Sequence, residues 1–153
     1  MATMTYRKAV KADARELAIN LRKADRKELI GIVGDALLQE IEYCIEASEQ
    51  AFVCECDGKL MAAFGVYRTS PFENIGVIWM LATTETVKHK VYVGKWTKKG
   101  LQAFLKDWDL LYNYIDQGNS ETIKWLKWLG AKVYPAQPYG LYGLPYHKFV
   151  FEG

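Results

Sequence analysis

Two cysteines one residue apart, a lysine-rich run and an asparagine that opens a helix carry the side chains able to do chemistry. Cys54 and Cys56 form a C-x-C on an expected strand, where alternate residues share a face, so both thiols point the same way. A zinc site needs further Cys or His ligands, and the only histidines, His89 and His147, are distant in sequence. No metal is therefore expected, and the pair reads as small buried hydrophobes. With Cys44 the cysteines number three, an odd count in a chain whose first ten residues hold no signal-peptide apolar run. Free thiols in a reducing cytosol follow. The run from Lys88 to Lys99 interleaves lysines with Tyr92 and Trp96, a pattern able to track a phosphate backbone and stack bases. A net charge of only +2, balanced by acidic residues elsewhere, argues against a nucleic-acid partner.

Asn119 lies in the best-bounded unit of the chain, Leu110 to Val133. The run Leu110-Leu111-Tyr112-Asn113-Tyr114-Ile115 is short and aromatic enough for a buried strand. A polar break follows, and then a helix with Ile123, Leu126, Lys127 and Gly130 spaced by three and four. Asn119 or Ser120 supplies the N-cap oxygen, Glu121 suits the positive end of the helix dipole, and Gly130 suits a left-handed C-cap. Ala131 to Tyr134 reads as another strand, stopped by Pro135.

The remaining elements are expected in order. Thr5 to Val10 is a first strand. Asp13 and Glu16 form a variant capping box at the start of a helix bearing Leu17, Ala18, Leu21 and Ala24 inward. Gly31 and Gly34 break the pattern, and Asp35 caps a second helix with Leu37, Leu38, Ile41, Cys44 and Ile45. Asp57-Gly58 between Ala51–Cys56 and Lys59–Tyr67 predicts a hairpin with a type I′ turn; Gly65 marks a bulge or a close backbone approach. Ile75 to Thr83 is continuously apolar and belongs in the middle of the sheet. Thr84 to Lys106 is mostly helical, with a kink or break expected at Gly94 or Gly100. The Pro- and Tyr-rich stretch after Pro135 is a loop, and His147 to Phe151 closes the sheet. At 153 residues, half apolar and a quarter charged, the chain suits one soluble domain, 1–153, and no run is long enough to span a membrane.

The order strand, Asn119, helix, Leu129-Gly130-Ala131, strand resembles the C-terminal half of the GNAT (Gcn5-related N-acetyltransferase) fold. The resemblance implies an α+β sandwich: a mixed, mainly antiparallel central sheet flanked by about four helices. It also implies acetyl-CoA as the acyl donor and direct transfer to an amine-bearing acceptor, small molecule or protein. By position, the backbone of Leu81, Ala82 and Thr83 would serve the pantetheine, and Asn119 would lie beside CoA. The family's glycine-rich phosphate turn is replaced by Thr84-Glu85-Thr86-Val87-Lys88-His89-Lys90. Its amides approach a phosphate less closely without glycine, and Lys88, His89 and Lys90 stand where charge could compensate. Leu126 takes the place of the family's proton-donating tyrosine and has no proton to give. Tyr142, Tyr139 or Tyr146 could replace it only if the late loop folds over the cleft. Glu73 and Glu85, near the two ends of the fourth strand, are the carboxylates that could accept the ammonium proton.

A narrower resemblance covers the C-terminal two-thirds. Tyr112-Asn113-Tyr114, Gly118-Asn119 and Gly130-Ala131 are similar to the small GNAT-like internal virion proteins of short-tailed phages, which are acyltransferase-like and associated with virion assembly. It implies either a divergent acyltransferase in a bacterial host cytoplasm or a non-catalytic assembly protein that binds phage structural proteins and is carried in the virion.

Overall fold

The structure is a computed structural model and describes residues 3–153. Among the described residues eight strands form one sheet, in the order β1 (Met4–Lys8), β2 (Gln50–Cys56), β3 (Lys59–Arg68), β4 (Ile75–Ala82), β5 (Leu110–Asp116), β8 (Leu144–Glu152), β6 (Lys132–Val133), with β7 (Gln137–Tyr139) also paired to β8. Only β4 and β5 run parallel; the other neighbours are antiparallel. The helices are α1 (Asp13–Asn20), α2 (Lys23–Val33), α3 (Leu37–Ala47), α4 (Lys90–Asp107) and α5 (Ser120–Trp128). The expected α+β sandwich, with a mixed, mainly antiparallel sheet, is what forms.

Strand alternation divides the core. Val53, Leu60, Ala63, Trp79 and Leu81 face α1 and α3, where they meet Leu17, Leu21, Ile41 and Ile45. Val66, Leu111, Ile115, Phe149 and Phe151 face Leu101 and Phe104 of α4 and Leu126 of α5. The hairpin turn forms as its sequence demands, with Asp57 at φ 50° and Gly58 at φ 79°. Gly65 is the close approach: an added Cβ would lie 2.6 Å from the Gln50 carbonyl and 2.8 Å from the Trp79 ring. The bulge lies elsewhere, between Cys54 and Glu55.

Five local expectations give way. The N-terminal helical region holds α2 besides the two expected helices, because Leu21 bridges to Thr83 and the Arg22 amide bonds the Ala82 carbonyl at 2.8 Å. That extended pair of residues ends α1 and starts α2. Asp13 caps no helix; its carboxylate takes two hydrogen bonds from Arg7 and one from the Val10 amide. Asp35 makes no cap either. Gly94 and Gly100 sit inside the unbroken α4, after a 3-10 turn over Thr84–His89. The late Pro- and Tyr-rich stretch contributes β7, and β8 begins earlier than expected, at Leu144.

Candidate active-site cleft

The parallel pair at the centre of the sheet does not stay paired. Ile75, Gly76 and Val77 pair with Leu110, Leu111 and Tyr112, and beyond that register the strands diverge. The Asn113 side chain spans the first step of the gap, donating to the Ile78 carbonyl at 2.7 Å. A cleft of ≈ 360 Å³ opens beyond it, between the carboxyl ends of the two strands, where open sheets containing parallel strands characteristically bind ligands.

Backbone alternation decides which groups face the cleft. The Thr83 amide bonds the Met61 carbonyl, so the odd residues of β4 are turned to β3. The even residues, Ile78, Met80 and Ala82, turn their amides and carbonyls the other way. The Ala82 N–H is taken by the Asp25 carboxylate at 2.8 Å, and the Ile78 carbonyl by Asn113. Between them the register leaves the Met80 N–H facing the cleft, with no strand partner beyond Val77.

The first turns of α2 form the opposite wall. Arg22, Asp25 and Glu28 are spaced by three, so they form one stripe along the helix. Asp25 is buried and bonds the Arg22 guanidinium at 2.9 Å. Glu28 accepts a 2.7 Å hydrogen bond from the Asn119 side-chain amide, while the Asn119 oxygen caps α5 by accepting from Thr122. Asn119 thus joins α5 to α2. Burial pushes the Glu28 carboxyl up to about 7, with Asp25 and Asp116 adding to the rise; Asn119 and Arg22 oppose it. A carboxyl poised there can exchange a proton near neutrality. Glu121, Lys90, Tyr114 and Trp125 complete the rim.

Of the residues singled out from sequence, Ala82, Lys90 and Asn119 line this cleft. Leu81 is packed against α1 and α3, and Thr83 is buried with its hydroxyl on the Leu60 and Met61 carbonyls. Glu73 sits with Asn74, Asp109 and Glu152 at the closed end of the β4–β5 pair, seven residues and roughly 20 Å along the strand from Met80. Glu85 pairs with Lys88 at 3.6 Å, outside the cleft wall. His89 meets Cys56, Nε2 to Sγ 3.4 Å. Tyr142 is exposed beside Gly34 at the far end of α2; the phenol on the cleft wall is Tyr114, which stacks on Tyr139 at 3.9 Å. Tyr146 is buried and donates to the Glu28 carbonyl. Leu126 lines the cleft as a hydrocarbon.

Sequence reasoning missed Glu28, Asp25, Arg22 and the Met80 amide. The three-residue spacing of Arg22, Asp25 and Glu28 was visible, but it reads as a solvated helix face until the break at Leu21-Arg22 turns that stripe toward β4.

The arrangement offers an apolar slot, an inward amide and a proton acceptor, but little for a phosphate. In the turn after β4 the Glu85 amide bonds the Thr83 hydroxyl and the Thr86 amide bonds the Thr83 carbonyl, so these donors serve the turn itself. Those two amides are therefore not free to cradle a phosphate. Cys54 and Cys56 share a buried cluster with Met61 and Val93. Burial pushes the Cys54 thiol up to about 11 and Cys44 up to about 12, which disfavours a thiolate nucleophile. Among the described residues no group of three His, Cys, Asp or Glu is placed to hold a metal, and no helix is long and apolar enough to cross a membrane. Trp96 packs on Tyr6 and Phe64, so its ring is turned toward the domain and not outward with the lysines.

Solved structures share this fold over nearly their whole length. The ribosomal-protein-S18-alanine N-acetyltransferase from Escherichia coli superposes with a TM-score of 0.70 at 10% identity, covering 98% of this chain and 94% of that one. The spermidine N-acetyltransferase from Vibrio cholerae, solved with CoA and spermine, gives 0.69 at 13% identity over 97% and 95%. A GNAT-family acetyltransferase from Streptococcus pneumoniae gives 0.66 at 8% over 99% and 100%. The fold is therefore that of the GNAT acetyltransferases. No family model and no curated protein matches the sequence.

Proposed function

We propose that this protein is an N-acyltransferase that moves an acyl group from a pantetheine thioester, acetyl-CoA in the simplest case, directly to an amine. The observation that carries this reading is the juxtaposition of Met80 and Glu28 across one cleft. A donor thioester would supply the activated acyl carbon. The Met80 N–H, held by β3 pairing on its other side, is aimed where a carbonyl oxygen gathers negative charge. Glu28, near 7, takes the proton that an ammonium must lose before its nitrogen attacks the acyl carbon. The C–S bond then breaks, and the departing thiolate leaves as a thiol with the proton that the acylated nitrogen sheds. Asn119 keeps that carboxylate in place, and Asp25 and Glu121 make the wall attractive to a cationic amine. The protein otherwise contributes position and exclusion of water.

The test is calorimetric titration with acetyl-CoA, followed by a thiol-release assay over a panel of primary amines and polyamines. Binding weakened by a bulky residue at Asn119, with thiol release that depends on amine and on Glu28, supports the proposal. Absence of heat at millimolar acetyl-CoA from folded protein overturns it. That result selects the second reading, a GNAT fold retained as a phage assembly or binding protein. Two observations favour that reading: the turn after β4 spends its amides internally, and Leu126 has no proton to donate.

A further inference from the structure

Behind the cleft lies a second space that the acetyl group does not need. A cavity of ≈ 80 Å³ sits between α4, α5 and the sheet, walled by Phe64, Leu101, Phe104, Leu129 and Phe151. Its lining is almost wholly carbon; the Thr97 hydroxyl on its wall already bonds the Val93 carbonyl at 2.8 Å. Ile78, Met80, Trp125, Leu126 and Phe149 line both this cavity and the cleft, so the cavity adjoins the cleft as an apolar extension of it.

A carbon-lined space of this kind offers water no polar partners and so favours an apolar occupant. On the scale of an engineered cavity of about 150 Å³ that holds benzene, 80 Å³ admits about three carbons. The Met80 amide marks where the polar end of an occupant must stop, since it is the inward backbone donor at the junction. Leu126 matters for the same reason: a leucine where the related fold often carries a phenol keeps the passage apolar.

We infer that the preferred acyl group is longer than acetyl, with a straight tail lodged in this cavity and its thioester at Met80. The inference rests on the acyltransferase reading and specifies its donor. With the carbonyl carbon held at Met80, acyl chains of about four to five carbons would fill the space. Each methylene moved from water into it raises affinity about fourfold, until the cavity is full.

Calorimetry with CoA, acetyl-, butyryl-, hexanoyl- and decanoyl-CoA tests this on the intact chain. The expected profile rises at least tenfold from acetyl to butyryl and falls by decanoyl. Leu101→Phe, which fills the cavity, shifts the optimum to shorter chains, and Phe104→Leu, which widens it, shifts it to longer ones. Opposite shifts from two neighbouring positions cannot come from general loosening of the fold, and circular dichroism confirms that each variant is folded. Binding of CoA and acetyl-CoA with a flat or falling profile overturns the cavity assignment alone. Failure of every thioester and of CoA itself overturns the acyltransferase reading, and this inference with it.

Discussion

Replacing Glu28 by Gln tests the site without assuming any substrate. The side chain keeps its shape and an oxygen for Asn119 but loses its titration. In the native protein burial raises the carboxyl from an ordinary 4.5 to about 7, so folding favours the protonated form. The stability this contributes is present below pH about 4.5 and lost as pH rises through about 7. At about 1.4 kcal/mol per pH unit, the native protein loses roughly 3 kcal/mol of stability across that window through Glu28 alone. Urea unfolding at pH 5 and pH 8 should therefore show a difference in the native protein that shrinks by about that amount in Glu28→Gln. If the proposed chemistry holds, the same carboxyl sets the pH–rate profile. About a tenth is ionised at pH 6 and about nine-tenths at pH 8, so the rate climbs roughly tenfold, and Glu28→Gln removes the climb with a ~10²–10⁴-fold loss. Identical pH dependence of unfolding in the two proteins would refute the reasoning, because Glu28 would then be as free in the fold as in the unfolded chain.

Other substitutions probe the surroundings. Asn119→Leu removes the hydrogen bond that holds the Glu28 carboxyl down, so a carbon-13 titration should place Glu28 above its native value; loss of the α5 cap should cost ~1 kcal/mol. Gly94 has open space where a Cβ would stand, so Gly94→Ala should stabilise α4 by up to ~1 kcal/mol, read from the urea midpoint. Gly65→Ala drives a methyl into the Gln50 carbonyl and the Trp79 ring and should cost ~1–3 kcal/mol by the same measurement. Lys90 is the cation on the cleft wall not already paired with Asp25. A single exposed ion pair is worth at most ~1 kcal/mol, so acetyl-pantetheine should bind within about fivefold of acetyl-CoA. A thousandfold gap in calorimetry would mean a phosphate site exists.

Periodicity and turn chemistry reached far into this fold. Asp57-Gly58 specified its hairpin, the unbroken apolar run of β4 placed it at the sheet centre, and Asn119 with Gly130 bounded α5, because each signal is local: a φ value, a face, a cap. Asn119 was legible twice, as a cap and as a site residue by resemblance, and the fold keeps both its cap and its place on the cleft. The carboxylates were not legible. Glu73 and Glu85 flank β4 in sequence, but a strand separates its ends by its full length, so proximity along the chain put Glu73 at the wrong end and left Glu85 paired with Lys88. Glu28 is 91 residues from Asn119, and its position follows from Leu21 and Arg22 pairing with the end of β4, a long-range hydrogen-bonding choice without a local signature. Its raised pKa, the inward amide of Met80 and the apolar cavity behind it depend on distances between elements. Sequence by itself determined which elements form and which faces they bury. Packing alone decided which polar groups are left facing one another in the gap where two parallel strands part.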